Sequence, residues 1–124
     1  MSYYELKSLV LKHKPTVESI LALKRFTLVS SKERPESMIY SFKKDSDSTK
    51  ILVRIRKKDG LVSEVAWNES SATLAYLTHD AVYDGFVPVT GNSRYHNRFQ
   101  NMALFVGYPL AEDKSVPCII RSID

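Results

Sequence analysis

The chain of 124 residues reads as an α+β domain: a central antiparallel β-sheet flanked by two helices, with an extra strand segment toward the C-terminus. Three observations predict this. Residues 51–67 alternate apolar and polar positions around Lys58-Asp59-Gly60, the pattern of a hairpin. Val17, Ile20 and Leu21, and later Ala72, Ala75, Tyr76 and His79, fall at helical spacing. Short runs of β-formers at 38–42, 102–106 and 117–120 are bounded by turn residues. The length fits one domain spanning 1–124, and neither an internal repeat nor a linker-like stretch is visible.

The elements follow in order. Ser2 and Glu5 have capping-box spacing, and Leu6, Leu9 and Val10 share a face, which predicts a short helix to about Lys14. Pro15 suits the first turn of a second helix, or a kink in a continuing one. Residues 26–30 turn β-like until Arg34-Pro35-Glu36 breaks them, and Met38, Tyr40 and Phe42 alternate as in a strand. Asp45-Ser46-Asp47-Ser48 is a polar loop. In the hairpin, a three-residue connection pairs Ile51 with Trp67, Val53 with Val65, Ile55 with Ser63 and Lys57 with Leu61. The other face then pairs Leu52 with Ala66 and Arg54 with Glu64. A two-residue turn would set Ile55 against Glu64, so the first register is preferred. Residues 69–80 read as helix, Asp84-Gly85 as a turn, and Phe86, Val87 and Val89 as an extended piece kept at an edge by Pro88. Gly91-Asn92-Ser93 is a loop, and 94–101 reads as helix or irregular chain.

Composition excludes several classes. Hydrophobic content of 44% and charged content of 26% are globular values, not those of a disordered chain. One cysteine, Cys118, excludes an internal disulfide framework. No apolar run approaches the ~20 residues of a membrane span, and the N-terminal residues lack a signal-peptide pattern, so a cytoplasmic protein without a membrane partner is expected. The net charge of +4 favours anionic partners, and most of the basic residues lie before Gly60.

Catalytic patterns are sparse. Four glycines build no phosphate loop, and no serine sits in a nucleophile elbow. Cys118 between β-formers reads as a small buried hydrophobe. His13, His79, His96 and Cys118 show no metal-ligand spacing, and Glu69, Asp80 and Asp84 offer an acid–base cluster only if they converge. No catalytic residue, metal or cofactor is therefore assigned. Arg94-Tyr95-His96-Asn97-Arg98-Phe99-Gln100-Asn101 mixes cations, rings and amides as single-stranded nucleic-acid sites do. The same spacing lets Tyr95 and Phe99 anchor to the core with both arginines in water.

Thr27-Leu28-Val29-Ser30, followed by Ser31-Lys32-Glu33-Arg34-Pro35-Glu36, is similar to the Phe-Leu-Val-Arg strand and phosphate loop of Src-homology-2 (SH2) domains. Glu18-Ser19-Ile20-Leu21 resembles that family's first helix, Leu52-Val53-Arg54-Ile55 its His-Tyr-Arg-Ile strand, and Thr73-Leu74-Ala75-Tyr76-Leu77 with Asp84-Gly85 its second helix and the turn beyond. The resemblance covers residues 14–86. It departs where Ser30 replaces the phosphate-gripping arginine and Leu52 the histidine, so it implies an atypical member with weak or absent phosphotyrosine binding. On this reading Lys14, Ser31, Lys32 and Arg54 line an anion site, while Tyr76 and Tyr83 shape a side-chain pocket. The alternative is that all four are solvated surface residues, with Arg54 held by Glu64. The expected function is a non-catalytic adaptor that binds a protein or peptide, acidic or phosphorylated. The alternatives are a small inhibitor or immunity-type protein that blocks another protein's site, and a single-stranded nucleic-acid binder.

Overall fold

The computed structural model describes every residue except Ser48, Asn92, Ala111, Asp113 and Asp124, so parts of the loops expected around 45–48 and 91–93 lie outside the described residues. Ser2 and Glu5 form the capping box: the Glu5 amide donates to Ser2 Oγ at 3.2 Å and the Ser2 amide to Glu5 Oε1 at 2.9 Å. The helix they start, α1 (Tyr3–Ser8), is shorter than the apolar spacing predicts. Leu9 and Val10 are still buried. The chain then leaves the helix to bond with the central hairpin, the Leu11 amide donating to the Val62 carbonyl at 2.7 Å and the Val62 amide to the Lys12 carbonyl at 2.9 Å. Pro15 occupies the first turn of a separate helix, α2 (Lys14–Leu23), which buries Val17 and Leu21.

Among the described residues eight strands follow: β1 (Phe26–Glu33), β2 (Ser37–Lys44), β3 (Lys50–Arg56), β4 (Val62–Glu69), β5 (Val87–Thr90), β6 (Arg94–Asn97), β7 (Met102–Val106) and β8 (Val116–Ser122). A third helix, α3 (Leu74–Tyr83), separates β4 from β5. It begins later than expected because Glu69 ends β4, where its carboxylate accepts from Trp67 Nε1 at 2.9 Å and from Thr73 Oγ1.

All eight strands form one antiparallel sheet in the order β1-β2-β3-β4-β8-β7-β6-β5. This corrects the expected architecture of a central sheet flanked by two helices. The last strand does not extend an edge; it pairs with β4 from Glu64 opposite Arg121 to Glu69 opposite Val116 and so joins two four-stranded meanders at the middle. Each meander is preceded by a ten-residue helix, and the strand order reads the same when β1–β4 and β5–β8 are exchanged.

One face of the sheet carries the core. Tyr40, Val53, Val65, Ile120, Leu104 and Tyr95 lie opposite one another in register, with Phe42, Ile51, Trp67, Cys118 and Val106 in the next row. Leu6, Leu9, Val17, Leu21, Leu77 and Ala81 join the same cluster, so all three helices cover that face. The predicted hairpin register holds from Ile51 opposite Trp67 to Arg54 opposite Glu64. Nearer the turn, Ile55 pairs with Val62 rather than Ser63, and Ser63 is an extra bulged residue that keeps Val62 pointing into the core.

Candidate functional site: the uncovered sheet face

Among the described residues no helix lies over the opposite face. Directly paired residues share a face, and one line of pairs can be followed across seven strands. Lys32 lies opposite Ile39, Ile39 opposite Arg54, Arg54 opposite Glu64, Glu64 opposite Arg121, Arg121 opposite Ala103, and Ala103 opposite His96. A basic side chain thus recurs on every second strand: Lys32, Arg54, Arg121 and His96. At ~4.8 Å between strands the repeat is about 10 Å. The neighbouring row reads Ser41, Leu52, Ala66, Ile119, Phe105 and Arg94. Its centre is apolar and open, with Leu52 42% and Phe105 40% exposed.

The row's charges are unevenly satisfied. Arg54 Nε is 3.5 Å from Glu64 Oε2, and its Nη1 donates to Ser37 Oγ at 3.1 Å. Lys32 and Arg121 make no ion pair among the described residues. Glu64 is the lone acid in the row.

Two grooves open on this face. The larger, about 1060 Å³, lies where the β1–β2 and β3–β4 turns meet, and Arg34, Ser37, Arg54, Arg56, Lys57 and Lys58 line it. The turns are tied by the Lys57 amide, which donates to the Glu36 carbonyl at 3.0 Å, and by Lys57 Nζ on Glu33 at 2.5 Å. The smaller groove, about 360 Å³, is lined by Arg94, His96, Phe105, Ile119 and Arg121 around Ala103. Ala103 is 8% exposed although no helix among the described residues covers its face, so it forms the floor of a concavity.

The residues expected from the sequence do not form one site. Lys32 and Arg54 share the uncovered face. Ser31 lies opposite Tyr40 on the helix-covered face, where Lys14 Nζ sits 4.8 Å from the Tyr40 ring centroid and 3.7 Å from Glu18. Tyr76 and Tyr83, 73% and 83% exposed, are two turns apart on the outer side of α3. They are on the covered side, so they shape no pocket with Arg54. The Glu64 contact of Arg54 is present, and Arg54 still lines the large groove. Sequence reasoning missed Phe105, Ile119 and Arg121. Their parity along β7 and β8 was readable, but which face it addressed depends on the pairing of β8 with β4.

The remaining reactive groups are engaged elsewhere. Burial pushes the Cys118 thiol up to about 12. Asp84 accepts from Tyr3 Oη at 2.7 Å and Lys7 Nζ at 2.5 Å, while Glu69 is held by Trp67 and Thr73. Among the described residues no three His, Cys, Asp or Glu side chains come together as a metal site, and no helix is long and apolar enough to cross a membrane. Of the mixed segment 94–101, Arg94 and His96 reach the uncovered face, Tyr95 is in the core, and Phe99 stands 97% exposed in the β6–β7 turn. Comparison with protein-family models, curated proteins and solved structures finds no match, so the face must be interpreted from its own chemistry.

Proposed function

We propose that this protein is a non-catalytic binding module whose uncovered sheet face docks an acidic protein or peptide segment. The observation that carries this reading is the pair of parallel rows: basic side chains on alternate strands beside an open aliphatic centre of Leu52, Ala66 and Ile119. Antiparallel sheets that face water ordinarily present polar side chains there. A contiguous apolar strip rimmed by charge is the composition of a protein contact, with an apolar centre giving affinity and a rim giving orientation. The net charge of +4 selects acidic partners.

A single-stranded nucleic acid is less well served. Bases stack on exposed rings, and Phe105 and His96 are the ring residues among the two rows, while the residues lining the large groove include no aromatic one. An inhibitor that blocks another protein's site would use the same face. The free, buried Cys118 suits a reducing compartment, and we place the encounter in the cytoplasm on that ground.

Affinity capture from nuclease-treated lysate tests the reading, with the wild-type chain compared with Lys32→Glu/Arg121→Glu and with Phe105→Ser. A bound protein that survives nuclease and falls at least ~10-fold with either variant, both still melting cooperatively, is the expected result. Recovery indifferent to both variants, or lost with nuclease, overturns it.

A further inference from the structure

Resting on that docking reading, we infer that the occupant of the uncovered face is an acidic amphipathic α-helix laid across the strands, not an extended strand or a loop. Two independent features point to it. The first is hydrogen bonding. The sheet's backbone donors and acceptors point within the sheet plane, and away from the edges they are already paired from β1 to β5. A segment lying on the face meets side chains alone, so its own amides must be satisfied internally. A helix does this for all but its end groups. An extended peptide does not, and it belongs at a sheet edge.

The second is spacing. Basic side chains on alternate strands repeat about every 10 Å. Along a helix, residues i and i+7 return to nearly the same side and are about 10.5 Å apart. Acidic side chains at every seventh position therefore meet Arg54, Arg121 and His96 in turn, over β3, β8 and β6. The apolar stripe of the same helix then lies on Leu52, Ala66, Ile119 and Phe105, one row over. From β3 to β6 there are four strand spacings, about 19 Å, which a helix covers in ~13 residues. The concavity over Ala103 receives the one large apolar side chain that such a helix would present between its second and third acids.

The test uses three synthetic peptides of about 18 residues and equal composition. The first is an amphipathic helix with Glu every seventh position beside a Leu stripe. The second keeps its helicity and charge but shuffles the Glu spacing. The third keeps the first peptide's order but carries two central prolines, drawn from the ends of the other two. Titration against the labelled protein, followed by amide shifts and by peptide circular dichroism, gives affinity and bound conformation. The first peptide is expected to bind as a helix, to shift residues 52–54, 64–66, 103–105 and 119–121, and to bind at least ~10-fold more tightly than either control. Arg121→Glu and Phe105→Ser should each weaken it. Equal binding of the proline peptide, equal binding of the shuffled peptide, or no binding by any of them overturns the helical occupant. If captured cellular protein still depends on Lys32 and Arg121, such a failure leaves the docking face standing and rejects only the helix.

Discussion

Phe26 and Phe86, sixty residues apart, hold the same place in the two halves of the molecule. Each is buried, each leads into a four-stranded meander, Phe26 as the first residue of β1 and Phe86 as the residue before β5, and each follows a ten-residue helix through a residue of positive φ, Arg25 at 67° and Gly85 at 108°. The correspondence continues backward, with Leu21 and Ala81, then Val17 and Leu77, buried at the same offset. The fold is thus a helix-and-meander unit used twice, joined by the β4–β8 pair.

This equivalence makes a stability prediction. Gly85→Ala places a Cβ 3.1 Å from Asn97 Nδ2 at a φ that side chains rarely adopt, and it should cost about 1–3 kcal/mol. Arg25→Gly relieves left-handed strain at the matching position and should stabilise by up to about 1 kcal/mol. Urea denaturation of both variants measures the two signs.

The halves are also tied by a polar clasp. Lys7 Nζ bonds Asp84 Oδ2 at 2.5 Å and Gln100 Oε1 at 2.7 Å, while the Asp84 carbonyl accepts from buried Asn97 at 3.0 Å and from Gln100 at 3.2 Å. Lys7→Met leaves a half-buried carboxylate with fewer donors and should cost about 1–3 kcal/mol. Tyr3→Phe removes one neutral donor to the same carboxylate and should cost about 1 kcal/mol. Thermal melts of the two variants test the order.

Acid sensitivity follows from two carboxylates. Glu5 is held down to about 2, first by its bond from Lys24 and then by the Ser2 amide. Burial alone would raise Asp84, but hydrogen bonds from Lys7, Tyr3 and Gln100 outweigh it and leave the group below its ordinary value. A depressed folded pKa contributes stability that is present at neutral pH and lost as pH falls through the folded value. Melting temperature should therefore drop between about pH 5 and pH 2. Glu5→Gln should lower it at pH 7 and leave it unchanged near pH 2.

At the alkaline end the sign reverses. Burial, then the bond to Asp84, raises the Tyr3 phenol well above its ordinary value, so the neutral form is the one that folds. Its contribution is present below about pH 10 and lost as pH rises beyond it. Spectrophotometric titration should show the Tyr3 phenol silent until the chain unfolds, so Tyr3→Phe should reduce the absorbance step that accompanies alkaline unfolding.

What the sequence reveals is local. The 51–67 hairpin is legible because alternation and a Gly-closed turn sit within one short stretch, and Ser2 with Glu5 because a capping box spans one helical turn. The duplication is hidden because it preserves burial and backbone shape rather than residue identity: of the four matched pairs just named, Phe26 and Phe86 are identical. The docking face is hidden for another reason. Arg54 and Arg121 are brought side by side around Glu64 by strands from opposite halves, and no spacing along the chain encodes that meeting. Ser31 falls on the other face because a single residue's shift along β1 exchanges faces, and Lys14 because it starts α2 and sits over Tyr40 on the helix-covered side.

Photo-cross-linking in living cells tests the docking face most directly. A benzoylphenylalanine at position 105 should give a protein adduct that resists nuclease and disappears when Lys32 and Arg121 are changed to Glu, while the same probe at position 76 on α3 gives none. Adducts from position 76 alone, or an adduct at 105 that is nucleic acid or ignores the charge reversals, would contradict a protein partner docked on the uncovered sheet.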